Sequence, residues 1–339
     1  MTDRLWQLTP EGNAYRLALT TRPRPAPEPG EVLVRVRAVS LNYRDLINLR
    51  NTAGRNVAGR IPTSDGAGEI VAVGPNVTAW QPGDRVAACF FPTWTGGRFE
   101  LRHHQHDLGG TIDGMLAEHV LLSADGIVRL PDYLSYQEAA TLPCAAVTAW
   151  TALVDRGGLE AGQTVLALGT GGVSTFALQI ATAYGARVII TSSSEEKLAK
   201  ARKLGAWHTI NYRTTPDWDK EVWRLTDKRG VDHVMEVGGP ETLAKSMQCV
   251  AAGGHIALIG VLTGFGAPTA SLFPLVARNV QLNGIYVGPR SQFDAMNRFL
   301  ADKQIHPVID RVFPFEEAVQ AYDYLASGSH LGKVVIEVA

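Results

Sequence analysis

Three glycines near the middle of the chain carry the clearest chemical signal. Gly169, Gly171 and Gly172 lie between an apolar run, TVLAL, and an amphipathic stretch. Because glycine has no side chain, the backbone N–H groups of such a turn can approach a pyrophosphate at the positive end of a helix. Ser174 stands at the third glycine position of the dinucleotide pattern, so the flanking strand and helix supply the supporting context. We predict that Gly171, Gly172 and Val173 contact a dinucleotide; a tight turn without a ligand is the alternative.

The end of the next predicted strand indicates which dinucleotide binds. NAD-binding proteins place an acidic residue there for the ribose hydroxyls, whereas this chain has Ser192 and Ser193. The acids that follow are explained by a helix capping box from Ser193 to Glu196. With no carboxylate to repel a 2′-phosphate, and with Lys197 one turn further on, NADP(H) is favoured over NAD(H). A capping serine and a solvated lysine are the alternatives for Ser193 and Lys197.

The strands and helices that must position this turn begin where the hydrophobic pattern of the sequence changes. GEVLVRVRAVSL (30–41) and GEIVAVGPNV (68–77) alternate apolar and polar residues, which predicts short strands broken by Gly and Pro up to about residue 125. From TVLAL (164–168) onward, apolar strands alternate with amphipathic helices. Such alternation is typical of a parallel sheet with helices on both faces. Two helices and a last strand close the chain.

Size and composition exclude several classes of protein. The 339 residues are enough for about two domains, and the net charge of −1 gives no general attraction to nucleic acid or anionic lipid. No apolar run approaches the length of a membrane span, and the N-terminus, MTDRLWQLTP, is polar and lacks the apolar run of a signal peptide. Three widely separated cysteines, outside any CxxC pattern, predict neither a disulfide framework nor a zinc finger. We therefore expect a cytoplasmic protein that acts on a small molecule.

Several motifs, in matching order and spacing, resemble the medium-chain dehydrogenase/reductase superfamily over essentially the whole chain. They are PGEVLVRV, SLNYRDL, TSDGAGEIVAVG, PGDRV, TLPCAAVTAWTAL, GTGGVSTFALQIATAYGARVI, KLGAWHTINY and GKVVIEV. The resemblance implies an α/β protein with a GroES-like β-barrel catalytic domain (1–125 and 290–339). It also implies a Rossmann domain, a doubly wound parallel sheet that binds NADP (126–289), with the active site in the cleft between the two.

The superfamily contains zinc alcohol dehydrogenases and zinc-free reductases, and the ligand positions distinguish them. A catalytic zinc needs three protein ligands and an open position. Where the superfamily places its ligands, this chain has Asn42, then Asp65 within a Thr-Ser-Asp sequence, and Cys144. Asp65 and Cys144 alone fall short of three, so we predict no metal. The histidines of LRHHQHDL (101–108) are interpreted as a solvated loop rather than a metal site.

The resemblance also indicates residues for the reaction. Asn42, at the vacated ligand position, is predicted to contact the nicotinamide or the substrate carbonyl, and the Tyr43 hydroxyl to donate a hydrogen bond. Phe91 and Trp94 are predicted to line the substrate pocket, although aromatic residues in such a run also serve as core. The other predicted cofactor contacts, which match the superfamily pattern or follow strand ends, are Thr148, Tyr212, Val237, Gly260 and Leu262.

These observations predict a zinc-independent, NADPH-dependent oxidoreductase that transfers hydride to quinones, enones or related carbonyl compounds. Without a Lewis acid, alcohol oxidation lacks the usual means of lowering the hydroxyl pKa, whereas hydrogen-bond donors can stabilise charge on a carbonyl oxygen. A zinc-free alcohol dehydrogenase or ketone reductase and a non-catalytic NADPH-binding protein are the alternatives. We expect a homodimer through the apolar strand 281–288, and an insertion, 96–114, that covers the cleft.

Overall fold

The computed structural model of the protein describes residues 1–338. The chain forms two compact units. The first contains Met1–Val147 and the segment from Gly288 onward, and the second is Thr148–Val287. The first unit extends past the boundary predicted after residue 125, because the strand Ile127–Arg129 pairs with Arg85–Ala88.

Fifteen strands and ten α-helices are present in residues 1–338. The strands are β1 (Thr2–Glu11), β2 (Ala14–Pro23), β3 (Glu31–Leu41), β4 (Asp65–Val73), β5 (Arg85–Ala88), β6 (His119–Ser123), β7 (Ile127–Arg129), β8 (Thr164–Ala167), β9 (Arg187–Ser192), β10 (His208–Asn211), β11 (Val231–Glu236), β12 (Val250–Leu258), β13 (Gln281–Gly284), β14 (Ile309–Pro314) and β15 (Lys333–Glu337). The helices are α1 (Tyr43–Leu49), α2 (Tyr136–Ala139), α3 (Val147–Trp150), α4 (Gly172–Ala183), α5 (Glu195–Lys203), α6 (Trp218–Leu225), α7 (Leu243–Cys249), α8 (Phe273–Ala277), α9 (Arg290–Lys303) and α10 (Ala318–Ala326). Single turns of 3₁₀ or π type cover Leu101–His106, Ala124–Gly126, Leu142–Ala146, Thr151–Asp155 and Phe315–Glu317.

The first unit is built around the long strand β3. Seven strands form its main sheet, in the order β14-β15-β3-β4-β5-β7 with β6 also paired to β3, while β1 and β2 form a separate hairpin. Val32, Val34 and Val36 alternate along β3 and are fully buried, whereas Arg35 between them is exposed. This period of two is the one that the sequence shows. The C-terminal strand β15 pairs with β3, so both ends of the chain enter this unit.

The second unit is a six-stranded sheet in the order β10-β9-β8-β11-β12-β13. All neighbouring strands are parallel. The order reverses at β8, so this is a doubly wound sheet, as the sequence predicts. Leu166, Ile189, Val234 and Ile256 lie fully buried in its core, because a parallel sheet covered on both faces requires apolar strands.

Two element boundaries differ from those predicted. Helix α5 begins at Glu195, and its N-cap is Ser194, whose Oγ accepts the N–H of Lys197 at 3.3 Å. The capping box predicted from Ser193 to Glu196 is therefore wrong, because the N-cap is Ser194 and the residue three positions further on is Lys197 rather than an acid. Strand β13 ends at Gly284 rather than at residue 288. The left-handed backbone of Val287 (φ 58°) is incompatible with an extended strand at that point.

The histidine-rich segment also differs from its prediction. Leu101–His106 forms a 3₁₀ turn, and His103 is buried rather than solvated. Its Nδ1 lies 3.0 Å from the hydroxyl oxygen of Thr93, and its ring stacks on Trp94. His104 and His106 are exposed, as expected. No helix within residues 1–338 has the length and apolar character needed to cross a membrane.

Candidate functional site

The glycine turn after β8 leaves the start of α4 open. Gly169 has a left-handed backbone (φ 73°), which glycine adopts readily, and its N–H donates to Thr191 Oγ1 at 3.0 Å. Gly171 is the N-cap of α4 and has no side chain with which to cap it. A Cβ on Gly171 would meet no atom within 4 Å. The first N–H groups of α4 are therefore accessible to an anion, as a pyrophosphate requires.

Ser174 explains why the third glycine is dispensable here. Its side chain is buried, and its Oγ donates to the carbonyl oxygen of Leu168 at 2.6 Å. The hydroxyl therefore ties α4 to the end of β8, at the position where the pattern uses glycine for close helix–strand packing. Serine in place of the third glycine therefore still allows close contact between α4 and the end of β8.

The ends of β9 and β10 bring the predicted ribose-side residues together. Ser192 is the last residue of β9, and Tyr212, just beyond β10, donates its N–H to the Ser192 carbonyl at 3.1 Å. Ser193 follows Ser192, and Lys197 lies in the first turns of α5. Because these strands are parallel, all four residues lie at the carboxyl edge of the sheet that also carries the glycine turn.

Two further residues at this edge were not predicted from the sequence. Arg213, exposed beside Tyr212, adds a guanidinium. Asn211 Nδ2 donates to Glu195 Oε1 at 2.7 Å, which holds the first acid of α5 in a contact within the protein. The signal for Arg213 is its place directly after a strand end in the INYR sequence.

The loops after β11 and β12 bring together Val237, Gly260 and Leu262. Leu262 donates its N–H to the Val237 carbonyl at 3.5 Å. A Cβ on Gly260 would lie 2.1 Å from the same carbonyl oxygen, so only glycine fits there. Leu262 is largely exposed. All three residues lie at the carboxyl edge of the sheet, as predicted, while their contact with a cofactor stays a prediction.

A buried carboxylate that was not predicted from the sequence holds the turn after β11. Glu236 Oε1 accepts the N–H groups of Gly238 and Gly239 at 2.9 and 3.0 Å and the Thr242 hydroxyl at 2.5 Å. Its Oε2 accepts the hydroxyl of Ser246. These bonds satisfy a fully buried carboxylate and fix the loop that carries Val237.

In the first unit, Asn42 faces a buried lysine. Asn42 precedes α1, and its N–H donates to Asp45 Oδ2 at 2.8 Å. Lys333, the first residue of β15, is only 3% exposed. Its Nζ donates to Asn42 Oδ1 at 2.6 Å and to the Leu41 carbonyl at 2.8 Å, and lies 3.9 Å from Asp65 Oδ2. This lysine was not predicted from the sequence.

The other two residues at the superfamily's ligand positions lie beside this lysine. Asp65 accepts the Ser64 hydroxyl at 2.7 Å and the Cys144 N–H at 3.1 Å. Burial raises the pKa of Asp65, and the charge of Lys333 opposes that shift. Burial raises the pKa of Cys144 to about 12 and that of Asp45 to about 6. Cys144 is therefore a neutral thiol at neutral pH.

These residues do not fit a zinc ion. Zinc binds thiolates, imidazoles and carboxylates, and a catalytic site needs three of them. Here the Asn42 amide presents its oxygen to an ammonium group and Asp65 already has Lys333 as a cationic neighbour, which leaves Cys144 alone short of the three ligands that zinc needs. Within residues 1–338, no three His, Cys, Asp or Glu side chains are grouped so as to hold a metal ion. Lys333 supplies the positive charge at this place.

Phe91 and Trp94, the predicted pocket residues, lie in a buried aromatic cluster. Phe99 from the insertion packs edge-on against both rings, at centroid distances of 5.5 and 4.9 Å. His103 stacks on Trp94. These contacts account for their burial by core packing, and substrate contact stays a prediction. Thr148, predicted to contact the cofactor, is buried in α3, and Tyr43, predicted to donate a hydrogen bond, is exposed at the start of α1; both roles stay predictions.

The insertion is anchored to the first unit through Asp107. This buried carboxylate pairs with Arg44 of α1 and, at 2.8 Å, with Arg55. It also accepts the Thr111 hydroxyl at 2.8 Å. Burial acts to raise the pKa of Asp107, but the hydrogen bonds from Arg55 and the charge of Arg44 hold that pKa below its usual value.

Comparison with known proteins agrees with this architecture. The family model of the alcohol dehydrogenase GroES-like domain matches residues 28–132, and that of the zinc-binding dehydrogenase matches residues 172–302. A zinc-type alcohol dehydrogenase-like protein of Schizosaccharomyces pombe is 45% identical over 316 residues, 91% of each chain. The crystal structure of a Sinorhizobium meliloti 1021 protein assigned as an alcohol dehydrogenase is 42% identical, covers 99% of both chains and has a TM-score of 0.94. That of an NAD-dependent alcohol dehydrogenase is 34% identical, covers 99% of this chain and 100% of its own, and has a TM-score of 0.88.

Proposed function

This chain belongs to the medium-chain dehydrogenase/reductase superfamily, and from that premise we propose that it is a zinc-independent, NADPH-dependent reductase of quinones, enones or related carbonyl compounds. The superfamily and the two-domain α/β fold inferred from the sequence are confirmed, and the chain is a nicotinamide-dependent oxidoreductase. The observation that carries the finer proposal is the contact of the Lys333 ammonium with Asn42 and Asp65 at the superfamily's metal position.

The second unit fits a bound nicotinamide dinucleotide. The open N-terminus of α4 would hold the pyrophosphate, because Gly171 leaves space and provides no capping side chain. Ser192, Ser193 and Lys197, with Arg213 nearby, favour a 2′-phosphate over a bare ribose. When bound, the reduced cofactor supplies a hydride. The cofactor contacts further proposed are Gly172, Val173, Tyr212, Val237, Gly260, Leu262 and Thr148.

The first unit would supply the groups that receive the substrate. As hydride adds to a conjugated carbonyl compound, negative charge collects on its oxygen. The Asn42 amide is the donor proposed for that oxygen, with the Tyr43 hydroxyl beside it in sequence. Phe91 and Trp94 are proposed to shape an apolar substrate pocket, and the insertion to cover the bound substrate.

Metal analysis and a substrate panel test the function. The protein, treated with chelator, is assayed with NADPH and NADH against cyclohexenone, a benzoquinone and saturated ketones, and with NADP⁺ against alcohols. We expect metal-independent reduction of enones or quinones with preference for NADPH. Alcohol oxidation that needs a stoichiometric metal would instead favour the activity named for the relatives, an alcohol dehydrogenase. Cofactor binding without any turnover would indicate a non-catalytic NADPH-binding protein.

Assembly and location are proposed on separate grounds. Strand β13 pairs with β12 at one edge of the parallel sheet, and an exposed edge of this kind can pair with a second copy. We therefore propose a homodimer through the segment that begins at Gln281. The three cysteines are free thiols, which suits a reducing compartment, and the cytoplasm is the proposed location.

A further inference from the structure

We infer that Lys333 is a positioning residue for carbonyl reduction, whose ammonium orients the Asn42 amide so that its Nδ2 donates to the substrate oxygen. The inference rests on the proposed function and goes beyond it, because it assigns to one lysine the electrostatic part that a metal plays elsewhere. Lys333 itself acts through Asn42 and does not touch the substrate.

The orientation of the amide follows from the chemistry of its partner. An ammonium group can only donate hydrogen bonds, so the Asn42 atom 2.6 Å from Lys333 Nζ must be the carbonyl oxygen. The Leu41 carbonyl at 2.8 Å fixes the ammonium from another direction. With the oxygen committed to Lys333, the amide nitrogen is turned away from it.

The described part of the chain leaves at least one N–H group of that buried nitrogen without an acceptor. Asn42 is 9% exposed, and its Nδ2 has no acceptor in hydrogen-bond geometry among residues 1–338. The amide does act to lower the pKa of Asp65, so Asp65 is the nearest candidate for one of its two N–H groups. At least one N–H remains for a ligand. A buried donor left unsatisfied costs about 1–3 kcal/mol, and a carbonyl oxygen is the ligand atom that would satisfy it.

The fold makes the position of Lys333 rigid. Val334 pairs with Leu41 in the β15–β3 ladder, so the residue before Val334 is held next to the residue after Leu41. The positive charge at the amide oxygen polarises the amide and strengthens its N–H groups as donors. Charge that develops on the substrate oxygen, until a solvent proton neutralises it, is stabilised by that polarised donor.

A double-mutant cycle in kcat tests the inference. We expect Asn42→Ala to lower kcat about 100-fold, as loss of one oxyanion donor does, and Lys333→Met about tenfold or more, with the KM for NADPH unchanged. Lys333→Arg should recover part of the rate because the guanidinium also only donates. If Lys333 acts through Asn42, Lys333→Met should cause no further loss in an Asn42→Ala background.

Ser40→Ala is the matched control, because the Ser40 hydroxyl donates across the same strand pair to the Val334 carbonyl at 3.2 Å. We expect this variant to affect stability and leave kcat near the parent value. The inference is overturned if the losses from Lys333→Met and Asn42→Ala multiply, or if Lys333→Met lowers kcat no more than the control.

A binding measurement separates this inference from the proposed function. In protein labelled with ¹⁵N-asparagine and loaded with NADP⁺, the Asn42 side-chain amide signal is identified by its loss in Asn42→Ala. We expect cyclohexanone, a saturated ketone, to shift that signal in the parent protein and in Lys333→Arg, but not in Lys333→Met. The absence of carbonyl reduction would refute the proposed function alone. An unmoved signal, or an equal shift in Lys333→Met, would refute the role of Lys333.

Discussion

Two histidines in the second unit are buried with their rings next to each other. His255 is 4% exposed, and neither of its ring nitrogens has a hydrogen-bond partner within residues 1–338. The His233 ring lies 5.8 Å away, with its Nε2 2.8 Å from Gln163 Oε1. Burial lowers the pKa of both, that of His255 to about 4. Neither residue belongs to the proposed site, so their effect is on stability.

We expect acid to destabilise the protein through His255. The folded state lowers this pKa, so between pH 6.5 and 4 the unfolded chain binds more protons than the native one. The stability that neutral His255 contributes is complete above about pH 6.5. As the pH falls towards 4, the free energy of unfolding falls by up to about 3 kcal/mol. Urea unfolding across this range should show a smaller fall for His255→Leu than for the parent. The exposed His106→Leu is the control, and equal pH slopes in parent and His255→Leu would contradict the prediction.

Asp107 is a second residue whose loss should have a large effect on stability. Asp107→Asn removes the charge that pairs with Arg44 and Arg55 while keeping the side-chain size. Because the carboxylate is buried, we expect about 3 kcal/mol of destabilisation, measured by urea unfolding. Asp113→Asn makes the same change at a half-exposed aspartate paired with Arg22, and should cost less than about 1 kcal/mol. Equal losses in the two variants would contradict this account of the anchor.

Asn42 was predicted from the sequence and its partner Lys333 was not, for a physical reason. Asn42 is conspicuous because it stands where the superfamily pattern has a ligand. Lys333 is 291 positions away from Asn42, and only the pairing of β15 with β3 brings the two together. The available signal was a lysine inside the apolar run GKVVIEV, where a charged side chain must either reach solvent or find a buried partner.

Among the elements, the turn between β8 and α4 contains a position where a substitution can weaken cofactor binding without disturbing the fold. Gly171 has an ordinary backbone conformation (φ −77°) and open space where a Cβ would be. An added methyl group therefore fits the fold, but it would occupy the space where a pyrophosphate approaches the start of α4.

We accordingly expect Gly171→Ala to fold normally and to bind NADPH about tenfold more weakly, a loss of about 1.4 kcal/mol. Calorimetric titration measures the affinity, and urea unfolding should differ from the parent by less than about 0.5 kcal/mol. Gly266→Ala, another glycine with open space, is the matched control and should change neither quantity. Unchanged affinity in Gly171→Ala would remove this turn from the cofactor site.

Elements with a strong local pattern were predicted well, and those shaped by distant contacts were not. The strands of the parallel sheet are buried on both faces, so their apolar runs stand out in the sequence. Three consecutive serines offered equivalent caps for α5, and the pattern could not select Ser194. The insertion has a polar sequence, yet His103 and Phe99 pack against Trp94, a contact that no local periodicity reveals.

At the scale of the whole molecule, the second unit presents an unusual amount of exposed apolar surface near its edge strand. The large side chains concerned, all at least two-fifths exposed, are Phe265, Leu272, Phe273, Val276 and Tyr286. They lie in the segment that surrounds α8 and β13, and β13 pairs with β12 at the end of the sheet. Exposed apolar side chains next to an open strand edge are typical of a surface covered by another chain.

We expect this surface to be the contact of a symmetric dimer. Sedimentation equilibrium at micromolar concentration should give twice the 36.6 kDa chain mass for the parent. Phe273→Glu and Val276→Glu place charges on exposed positions of α8, so they should dissociate the dimer without unfolding the chain, because desolvating an unpaired charge in an interface is costly. Leu101→Glu changes an equally exposed apolar residue in the first unit and should leave the mass unchanged. A parent protein that sediments as a monomer, or α8 variants that remain dimeric, would show that this surface is not the dimer contact.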